Sequence, residues 1–541
     1  MNEHWWQKAV VYQIYPRSFQ DSNGDGIGDL RGIISRLDYL QKLGVGALWL
    51  SPVYQSPNAD NGYDIADYQA INPEYGTMAD MDELIAAAKQ RGIRIVMDLV
   101  VNHTSDEHPW FVAAKADPTA PTRDFYVWAD PVDGHAPNDL TSGFIGGSAW
   151  ELDAASHQYF LHLFSKKQVD LNWQNPRLRQ AVYDMMNFWI DKGIGGFRMD
   201  VIDMIAKEPL QKTLVNGPHL HEYLHEMNRQ TWADRDFLTV GEAWSAGPKE
   251  ALRYSAADHQ ELSMIFQFGH LWADRKLGGE KWEQTPLDVG RLKAALYACQ
   301  TTLATQGWNS LFWNNHDLPR AVSRFGTTGV HRELSAKMLA ITLHGLRGTP
   351  YVYQGEELGM TDCPVATTDK VNDVEARTIY RQLIDRGDTP QQAMATVNIF
   401  NRDNARTPMQ WTAQANAGFS TGQPWLAVNA NHATINAAAA VADHNSVFYT
   451  YQALIKLRAT QPALQTGAFA AIADVPESVF AYTRTLGTTQ WLICSNFSDQ
   501  PVTVNLPVAD CEVMISNYPD EPRRLGTRRL RPYEAMIVVV K

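Results

Sequence analysis

The chain has 541 residues, more than a single hydrophobic core accommodates, which predicts one large domain with one or two smaller ones. Its 47 lysines and arginines are outnumbered by 60 aspartates and glutamates, and the net charge of −13 disfavours nucleic acid and anionic membranes as partners. The hydrophobic fraction of 45% is ordinary for a globular protein, and no apolar run approaches the roughly 20 residues that span a bilayer.

The N-terminus and the cysteines indicate the cellular compartment. The first residues lack the basic start and the apolar core of a signal peptide. The cysteines are scattered without a CxxC pair, which is typical of free thiols rather than of a metal site or a disulfide framework. We therefore expect a cytoplasmic monomer that binds neither nucleic acid nor membranes.

Short runs rich in β-branched or aromatic residues alternate with longer amphipathic stretches along most of the chain. The strand-like runs are 10–15, 47–52, 93–100, 195–201, 237–242, 262–268, 310–313 and 350–353. Residues 81–91 exemplify the helical stretches, with apolar Leu84, Ile85 and Ala88 at helical spacing. This alternation predicts an α/β fold, the (β/α)₈ or TIM barrel. An open doubly wound sheet is the alternative, but the first βα turn has no GxGxxG fingerprint.

Two stretches break the alternation. Residues 104–170 are rich in Pro, Gly, Asp and His, follow the third strand and are too long for a simple connection, so they predict a small inserted domain. After about residue 462 the pattern changes to period-two strands at 478–484, 490–495, 512–515 and 535–540. The prediction is a barrel of residues 1–103 and 171–462, an inserted domain of residues 104–170 and an antiparallel β-domain of residues 463–541.

The loop after the first strand has oxygen-bearing residues at every second position. The predicted ligands are Asp21, Asn23, Asp25, the carbonyl of Ile27, and Asp29. Calcium prefers six to eight hard oxygen ligands, so the spacing predicts a structural calcium ion. The loop begins like an EF-hand, but its twelfth position is Gly32 rather than Glu. An acidic turn without metal is the alternative, and no organic cofactor is expected.

Three carboxylates lie at the ends of strand-like runs. Asp200 is near the end of the fourth predicted strand, Glu242 is the last residue of the fifth, and Asp317 follows the seventh. Ordinary loop acids are the alternative for any one of them, but active sites of this fold form where the strands end, and all three lie there. A pair of such acids, one protonated and one ionised, is the requirement of glycoside hydrolysis.

The sequence around each acid favours a different role. Arg198 lies two residues before Asp200 in a strand, on the same face, and favours the ionised form that a nucleophile needs. Trp244 follows Glu242, and an apolar neighbour raises a carboxyl pKa toward that of a proton donor. Asp317 follows His316 and suits an acid that binds sugar hydroxyls.

Four stretches, residues 98–103, 196–200, 242 and 314–317, resemble the α-amylase superfamily of retaining α-glycosidases in content and order. The resemblance covers nearly the whole chain. It implies that Asp200 is the nucleophile, Glu242 the acid/base and Asp317 the stabiliser of the transition state. It also implies a group of residues that hold the glucose of the first subsite: Tyr63, Asp64, His103, Arg198 and His316.

Within that superfamily, residues 13–19 and 402–411 resemble the oligo-1,6-glucosidase and dextran glucosidase group. The resemblance implies that Asp64 and Arg402 grip the terminal glucose, which limits cleavage to one glucose at a time from the non-reducing end. In similar enzymes Val at the position of Val201, directly after the nucleophile, goes with a preference for α-1,6 bonds, so the resemblance implies that preference here, and Trp244 agrees with it. Lys281 resembles a lysine that contacts the leaving sugar, and a solvated surface lysine is its alternative.

The expected activity is thus a retaining exo-α-1,6-glucosidase acting on isomalto-oligosaccharides, panose or dextran fragments, with the two working carboxyl groups about 5 Å apart. An α-1,4-glucosidase or a trehalose-6-phosphate hydrolase on the same scaffold is the alternative. A sucrose isomerase is disfavoured, because residues 318–322 lack the Arg-Leu-Asp-Arg-Asp signature. A binding module without activity is disfavoured because all three acids are present.

Overall fold

The computed structural model describes residues 4–143, 146–520 and 522–541. Eight parallel strands form its central sheet, with the neighbour order β6-β5-β4-β3-β2-β1-β8-β7. The strands are β1 (Val11–Ile14), β2 (Ala47–Leu50), β3 (Arg94–Leu99), β4 (Gly196–Met199), β5 (Leu238–Glu242), β6 (Met264–Phe266), β7 (Ser310–Leu311) and β8 (Thr349–Tyr353). The predicted barrel is confirmed.

The strands are apolar because helices cover the outer face of the sheet and side chains fill its interior. Every residue of β1, β2, β4, β5, β6 and β8 is buried, as expected of a parallel sheet. The two ends of the strand order approach each other where the Ser310 hydroxyl of β7 donates to the Ile265 carbonyl of β6 at 2.8 Å. The sheet is therefore a nearly closed barrel.

Helices follow the barrel strands and pack outside them. They are Leu30–Ser35, Leu37–Leu43, Met78–Gln90, Pro176–Asp191, Leu220–Thr231, Pro248–Ser255, Val289–Thr302, Ala321–Phe325, Arg332–His344 and Val447–Thr460. The predicted helix at 81–91 begins three residues earlier, because Thr77 and Asp80 form a capping box at its N-terminus. The other helices are Trp5–Lys8, Pro109–Ala116, Val374–Asp385, Pro390–Phe400, Asp403–Arg406, Ala437–Ala442 and Pro462–Thr466.

The segment between β3 and β4 forms the predicted small inserted domain. Its three-stranded antiparallel sheet consists of Trp128–Ala129, Gln158–Leu161 and Trp150–Asp153. A second pair, His103–Ser105 with Gln168–Asp170, joins the two ends of the insertion. Strands Tyr54–Gln55 and Asp67–Ile71 form a further pair after β2. His103 is therefore held where the inserted domain meets the barrel.

The C-terminal residues form the predicted antiparallel β-domain. Its main sheet has the order Ala468–Ala471, Val479–Leu486, Thr489–Asn496, Ala535–Val540 and Cys511–Ser516. Val502–Asn505 pairs with Thr527–Leu530. One hydrophobic core runs from the barrel into this sheet, with Tyr351 and Tyr482 in the same cluster. Among the residues that the structure describes, none of the helices combines the length and the apolar character that a membrane crossing needs.

Candidate active site

The three predicted acids meet at the carboxyl ends of the barrel strands. Asp200 follows β4, Glu242 is the last residue of β5, and Asp317 follows β7. All three line one cavity of about 480 Å³, a size typical of small-molecule sites. The structure thus brings together side chains that are up to 117 residues apart in the sequence, from position 200 to position 317.

The backbone after β4 positions Asp200. Arg198 lies within the strand, and Asp200 follows two residues later on the same face. Val201 then takes a left-handed φ of 35°, which is strained for a β-branched residue and ends the strand. The Val201 amide donates to Glu242 Oε2 at 3.2 Å. The strained turn therefore ties the loop after β4 to the carboxylate of β5.

Arg198 links the carboxylates from behind the cavity. Its guanidinium is 1% exposed and donates through Nη1 to Asp98 Oδ1 and to Asp200 Oδ1, each at 2.8 Å. Its Nη2 lies 2.6 Å from Glu242 Oε2. Because one buried cation serves three acids, the site retains negative charge.

This excess of negative charge favours the protonated forms of the acids. Burial raises the pKa of Glu242 to about 7; Arg198 offsets only part of the shift, and the charges of Asp200 and Asp317 add to it. Burial likewise raises the pKa of Asp200 to about 7, since Asp98 and Asp317 oppose the effect of Arg198. Arg198 does favour the ionised form of Asp200, as predicted, but burial and the neighbouring acids outweigh its effect on the pKa. The charge of ionised Asp200 favours the protonated form of Glu242.

Asp317 has the opposite behaviour. Burial raises the pKa of its carboxyl group, but His316, Arg406 and Arg402 together hold that pKa well below its ordinary value. Asp317 Oδ1 lies 2.6 Å from Arg406 Nη2 and 3.4 Å from Arg402 Nη1. Asp317 is therefore ionised at any pH where the protein works, as expected of a group that steadies developing positive charge.

His316 is neutral and belongs to a hydrogen-bonded chain below the cavity. Burial lowers its pKa to about 3. Gln13 Nε2 donates to His316 Nδ1 at 2.8 Å, so the ring hydrogen is on Nε2, which lies 2.7 Å from the Tyr63 hydroxyl and 3.1 Å from Asp317 Oδ2. The Tyr63 hydroxyl donates to Asp98 Oδ2 at 3.1 Å. Tyr63 lines the cavity, whereas Arg198 and His316 are buried behind its wall.

The cavity has a buried end and an exposed end. Asp60, His103 and Arg402 line the buried end, each less than 9% exposed. His103 Nε2 lies 3.1 Å from the Tyr63 carbonyl, and burial lowers the pKa of His103. Trp244, at the other end, is 46% exposed. Such a blind polar end fits a terminal sugar unit rather than the middle of a chain.

The structure corrects the placement of Asp64. This residue is fully buried outside the cavity wall, where it accepts the backbone amides of Ala59 at 2.8 Å and Asp60 at 3.0 Å. Left-handed Asn61 and Gly62 turn the chain between the two aspartates. Asp60 faces the cavity instead, with Oδ1 4.0 Å from Arg402 Nη2. Of these two aspartates, Asp60 rather than the predicted Asp64 therefore faces Arg402.

Arg402 is fixed by a second acid that the sequence did not reveal. Asp373 Oδ1 accepts from Arg402 Nε at 2.9 Å and from Nη2 at 2.6 Å. Although burial raises the pKa of Asp373, the Arg402 charge and hydrogen bonds lower it to about 2. Asp373 also caps the helix Val374–Asp385 by accepting the Glu375 amide at 3.1 Å. The start of this helix therefore holds the guanidinium in place.

The exposed end carries the residues predicted to meet a leaving sugar. The Trp244 indole stacks on Phe268, with ring centroids 3.7 Å apart, and its Nε1 donates to Glu242 Oε1 at 2.9 Å. That hydrogen bond favours the ionised carboxylate, so burial rather than Trp244 raises the pKa of Glu242. Lys281 lines the cavity and pairs with Glu375 at 2.5 Å, so it is not a freely solvated lysine. Val201 lines the same cavity.

The acidic loop after β1 curls around its own backbone amides. Asp21 accepts the amides of Asn23, Gly24 and Gly26 at 2.9, 2.7 and 2.8 Å. Among the described residues, no three His, Cys, Asp or Glu side chains cluster closely enough to hold a metal ion. The acids alone therefore do not make a site, and a calcium ion fits only if the Asn23 amide and the Ile27 carbonyl contribute oxygens.

Comparison with known proteins agrees with this geometry. The family model "Alpha amylase, catalytic domain" matches residues 13–467. The chain is 54% identical over 540 residues to a glucan 1,6-alpha-glucosidase of Streptococcus pneumoniae, covering 99% of each chain. It is 49% identical to an oligo-1,6-glucosidase of Parageobacillus thermoglucosidasius, covering 100% of each.

Among solved structures, the trehalose-6-phosphate hydrolase of Bacillus licheniformis superposes with a TM-score of 0.96 at 44% identity, covering 100% of each chain. A relative of different stated activity thus shares the whole fold, so the fold alone does not fix the substrate. The family match, the full-length relatives and the three converging acids lead to the same assignment. The chain belongs to the alpha-amylase family of glycoside hydrolases.

Proposed function

We propose that the chain is a retaining exo-acting α-glucosidase that hydrolyses α-1,6-glucosidic bonds at the non-reducing end of isomalto-oligosaccharides, panose or dextran fragments. The observation that carries this proposal is the cavity, which has one blind polar end beside Asp317 and one open end beside Glu242. The glucan 1,6-alpha-glucosidase and oligo-1,6-glucosidase relatives, similar over their whole lengths, support it.

The reaction proceeds in two displacements. Asp200, ionised, attacks the anomeric carbon of the terminal glucose while Glu242 gives its proton to the oxygen of the departing sugar. The C–O bond to that sugar breaks, and a glucosyl ester of Asp200 forms. Glu242, now ionised, takes a proton from water, whose oxygen attacks the same carbon and releases glucose and free Asp200. The two inversions together retain the anomeric configuration.

The remaining groups hold the sugar through both steps. Asp317 and Arg402 contact each other at 3.4 Å at the buried end, where they are placed to bind glucose hydroxyls. The ionised state of Asp317 stabilises an oxocarbenium-like transition state by charge. Asp60 and His103 complete this wall. A wall closed by charged groups has no room for a further sugar, which accounts for the exo action.

The α-1,6 preference rests on Val201 and on the relatives. Val201 is branched at Cβ, lines the cavity directly after Asp200, and narrows the space on the leaving-sugar side. Trp244 lies on the same side, against the acid. An α-1,4-glucosidase and a trehalose-6-phosphate hydrolase are the competing activities, the second because a hydrolase of that name has the same fold.

Steady-state rates on three disaccharides test the proposal. We expect kcat/KM for isomaltose to exceed that for maltose and for trehalose 6-phosphate by at least about tenfold, the effect of roughly 1.4 kcal/mol in transition-state binding. A higher value for either competitor would overturn the proposed linkage and leave the double-displacement chemistry intact.

We also propose that the loop of Asp21, Asn23, Asp25, Ile27 and Asp29 binds calcium. Its alternating oxygens and the left-handed Gly24 and Gly26, which curl the loop, support this. Calcium would stabilise the connection after β1 and take no part in the chemistry. EGTA should lower Tm and added calcium should restore it, whereas Asp25→Asn should weaken the response. A Tm insensitive to both reagents would contradict the site.

We further propose that the protein is a cytoplasmic monomer. Its partner is a small oligosaccharide, and it binds neither nucleic acid nor membranes. The four cysteines, Cys299, Cys363, Cys494 and Cys511, are free thiols, which suits a reducing compartment. The net charge of −13 disfavours polyanionic partners. Light scattering at micromolar concentration tests the monomer, for which the expected mass is 60.8 kDa.

A further inference from the structure

The segment after β6 presents an aromatic ring and a guanidinium to the cavity. Neither group has a role in the reaction described above. Trp272 and Arg275 both line the cavity, together with Leu271. The Arg275 amide donates to the Trp272 carbonyl at 3.2 Å, so a single turn brings both residues to the same wall.

Arg275 is a buried cation without a full partner. Its side chain is 6% exposed, and the nearest carboxylate, Asp274 Oδ2, is 3.4 Å from Arg275 Nη1. Asp274 is already engaged by Arg324, whose Nε and Nη2 lie 2.8 and 2.6 Å from its two oxygens. Arg275 Nη1 has no hydrogen-bond partner among the described residues. Leaving such a donor unpaired in a protein wall is costly, so its occurrence in a cavity points to a ligand.

Burial and the neighbouring Arg324 lower the pKa of Arg275 to about 10, so the guanidinium remains charged at neutral pH. Trp272 supplies the complementary surface, since it is 44% exposed in the same cavity. A pyranose ring has an apolar C–H face and a rim of hydroxyls, so an exposed indole beside a free N–H donor matches both parts of one sugar.

The segment is held rigidly in this position. Arg291 Nη2 donates to the Trp272 carbonyl at 2.6 Å, and Arg291 Nη1 donates to the Arg275 carbonyl at 2.9 Å. Arg324 also donates to the Leu271 carbonyl. Two guanidinium groups therefore fix the backbone under Trp272 and Arg275, which reduces the entropy lost when a ligand binds.

The location assigns the segment to the leaving-group side. Phe268, which stacks on Trp244, directly precedes the turn Gly269–Trp272. Trp244 is hydrogen-bonded to Glu242, and the acid stands beside the departing sugar. The glucose-binding wall of Asp60, His103 and Arg402 is at the buried end. Trp272 and Arg275 therefore lie outward from the cleaved bond.

We propose that Trp272 and Arg275 form a subsite for the sugar that follows the leaving sugar, that is, for the third unit of a trisaccharide substrate. Trp272 stacks on the ring of that unit, and Arg275 donates to its hydroxyl oxygens. This subsite gives the enzyme a preference for chains of three or more units. The inference rests on the proposed exo-glucosidase function and adds a chain-length determinant to it.

The test compares a trisaccharide with a disaccharide in each variant. For Trp272→Ala and Arg275→Gln, we expect the ratio of kcat/KM on isomaltotriose to that on isomaltose to fall about tenfold, the loss of one charged hydrogen bond or one stacking contact. Trp272→Phe should keep most of the ratio, because the aromatic face remains. Lys276→Gln is the matched control, since exposed Lys276 pairs with Glu283 and does not line this cavity.

Two other outcomes would overturn the subsite. An equal loss on both substrates would leave the ratio unchanged and would mean that the segment only supports the fold, which Tm of each variant would reveal. An unchanged rate on both would mean that no sugar reaches the segment. Failure of the proposed function is seen separately, as weak hydrolysis of isomaltose by the unaltered enzyme; the ratio is then measured on maltotriose and maltose.

Discussion

Trp244 acts on Glu242 through a hydrogen bond rather than through apolar contact. Its Nε1 donates to Oε1 at 2.9 Å while the indole stacks on Phe268. The donor favours the ionised carboxylate, and burial favours the protonated one. Burial raises the pKa of Glu242 to about 7, Arg198 and the Val201 amide oppose this shift, and Asp200 and Asp317 add to it. One side chain therefore touches Glu242 and lines the exposed end of the cavity.

Trp244→Phe should move the alkaline limb of the pH profile. The change keeps an aromatic face against Phe268 but removes the N–H donor, so the pKa of Glu242 rises from about 7. In the proposed mechanism Glu242 donates its proton to the leaving sugar, so kcat/KM should persist to higher pH than in the unaltered enzyme. Trp282→Phe, which removes an indole that does not contact Glu242, should leave the limb in place. If the alkaline limb of Trp244→Phe stays in place or moves to lower pH, the Trp244 hydrogen bond does not lower the pKa of Glu242.

Asp200→Asn should abolish turnover without unfolding the protein. The amide cannot form the glucosyl ester, so we expect kcat to fall on the order of 10⁴-fold. Asp184→Asn, an exposed acid on the helix Pro176–Asp191, is the control and should keep full activity. Circular dichroism should be unchanged in both. Substantial activity in Asp200→Asn would mean that another group attacks the sugar.

At the scale of single elements, the helix Val374–Asp385 organises the buried end of the cavity. Asp373 at its N-cap binds Arg402, and Glu375 in its first turn binds Lys281. One helix start therefore fixes two cationic side chains that line the cavity. An N-cap acid also stabilises the helix, since it accepts a free backbone amide.

Asp373→Asn should lower both stability and substrate affinity. Loss of the buried partner of Arg402 costs about 3 kcal/mol, less than for an isolated pair because Asp317 remains 3.4 Å from Arg402. KM should rise because the guanidinium loses its fixed orientation. Urea denaturation and steady-state kinetics measure the two effects, and Asp385→Asn, at the exposed end of the same helix, should show neither. Equal stability of the two variants would show that Asp373 contributes little.

The contribution of the Asp373–Arg402 pair to the free energy of unfolding should also depend on pH. The pKa of Asp373 falls to about 2 in the fold, below the value of about 4 for a free aspartate. Because folding lowers the pKa of Asp373, the pair stabilises the fold fully when the pH is above the pKa of Asp373 in the unfolded chain. This stabilisation is lost as the pH falls through the pKa of Asp373 in the folded protein. The difference in unfolding free energy between the unaltered enzyme and Asp373→Asn should therefore shrink between about pH 4 and pH 2.

The sequence predicts the strands, and the acids at their ends, because the pattern of neighbouring residues is sufficient to locate them. The predicted strand at 535–540 is observed as Ala535–Val540, and Asp200, Glu242 and Asp317 lie at strand ends as expected. The pattern of neighbouring residues does not predict which of two nearby acids faces the cavity when the backbone of a loop determines their directions. Asp60 and Asp64 are four residues apart, and only the left-handed backbone at Asn61 and Gly62 separates their roles.

Residues 370–392 illustrate a second limit. Nothing in their sequence indicates the partner of Asp373, because Arg402 lies 29 residues beyond it. The same holds for Lys281 and Glu375, which only the assembled barrel brings together. Long-range ion pairs leave no periodic signal in one sequence, so they emerge only from the fold.

At the scale of the whole molecule, the C-terminal sheet is packed onto the barrel as part of one core. The Tyr482 hydroxyl donates to the Thr342 carbonyl at 2.6 Å, and Arg484 Nη1 donates to the Gly345 carbonyl at 2.8 Å. Arg458, also buried, donates to the Leu346 carbonyl at 3.1 Å. Buried guanidinium groups thus satisfy carbonyls at the end of the helix Arg332–His344, where the two parts meet.

We therefore expect the barrel and the C-terminal sheet to unfold together. A shared apolar core and buried polar contacts couple the two parts, whereas loosely joined domains unfold separately. Differential scanning calorimetry should show a single transition, and far-UV and near-UV circular dichroism should give the same midpoint. Two resolved transitions would mean that the sheet is an independent unit.

The central claim is that this enzyme removes single glucose units from α-1,6-linked chains with retention. Time-resolved ¹H NMR of isomaltotriose hydrolysis tests linkage, direction and stereochemistry in one measurement. We expect α-glucose and isomaltose to appear first, and β-glucose to grow only as the anomers equilibrate. Initial release of β-glucose would contradict the double displacement by Asp200 and Glu242, and an absence of cleavage would contradict the α-1,6 assignment.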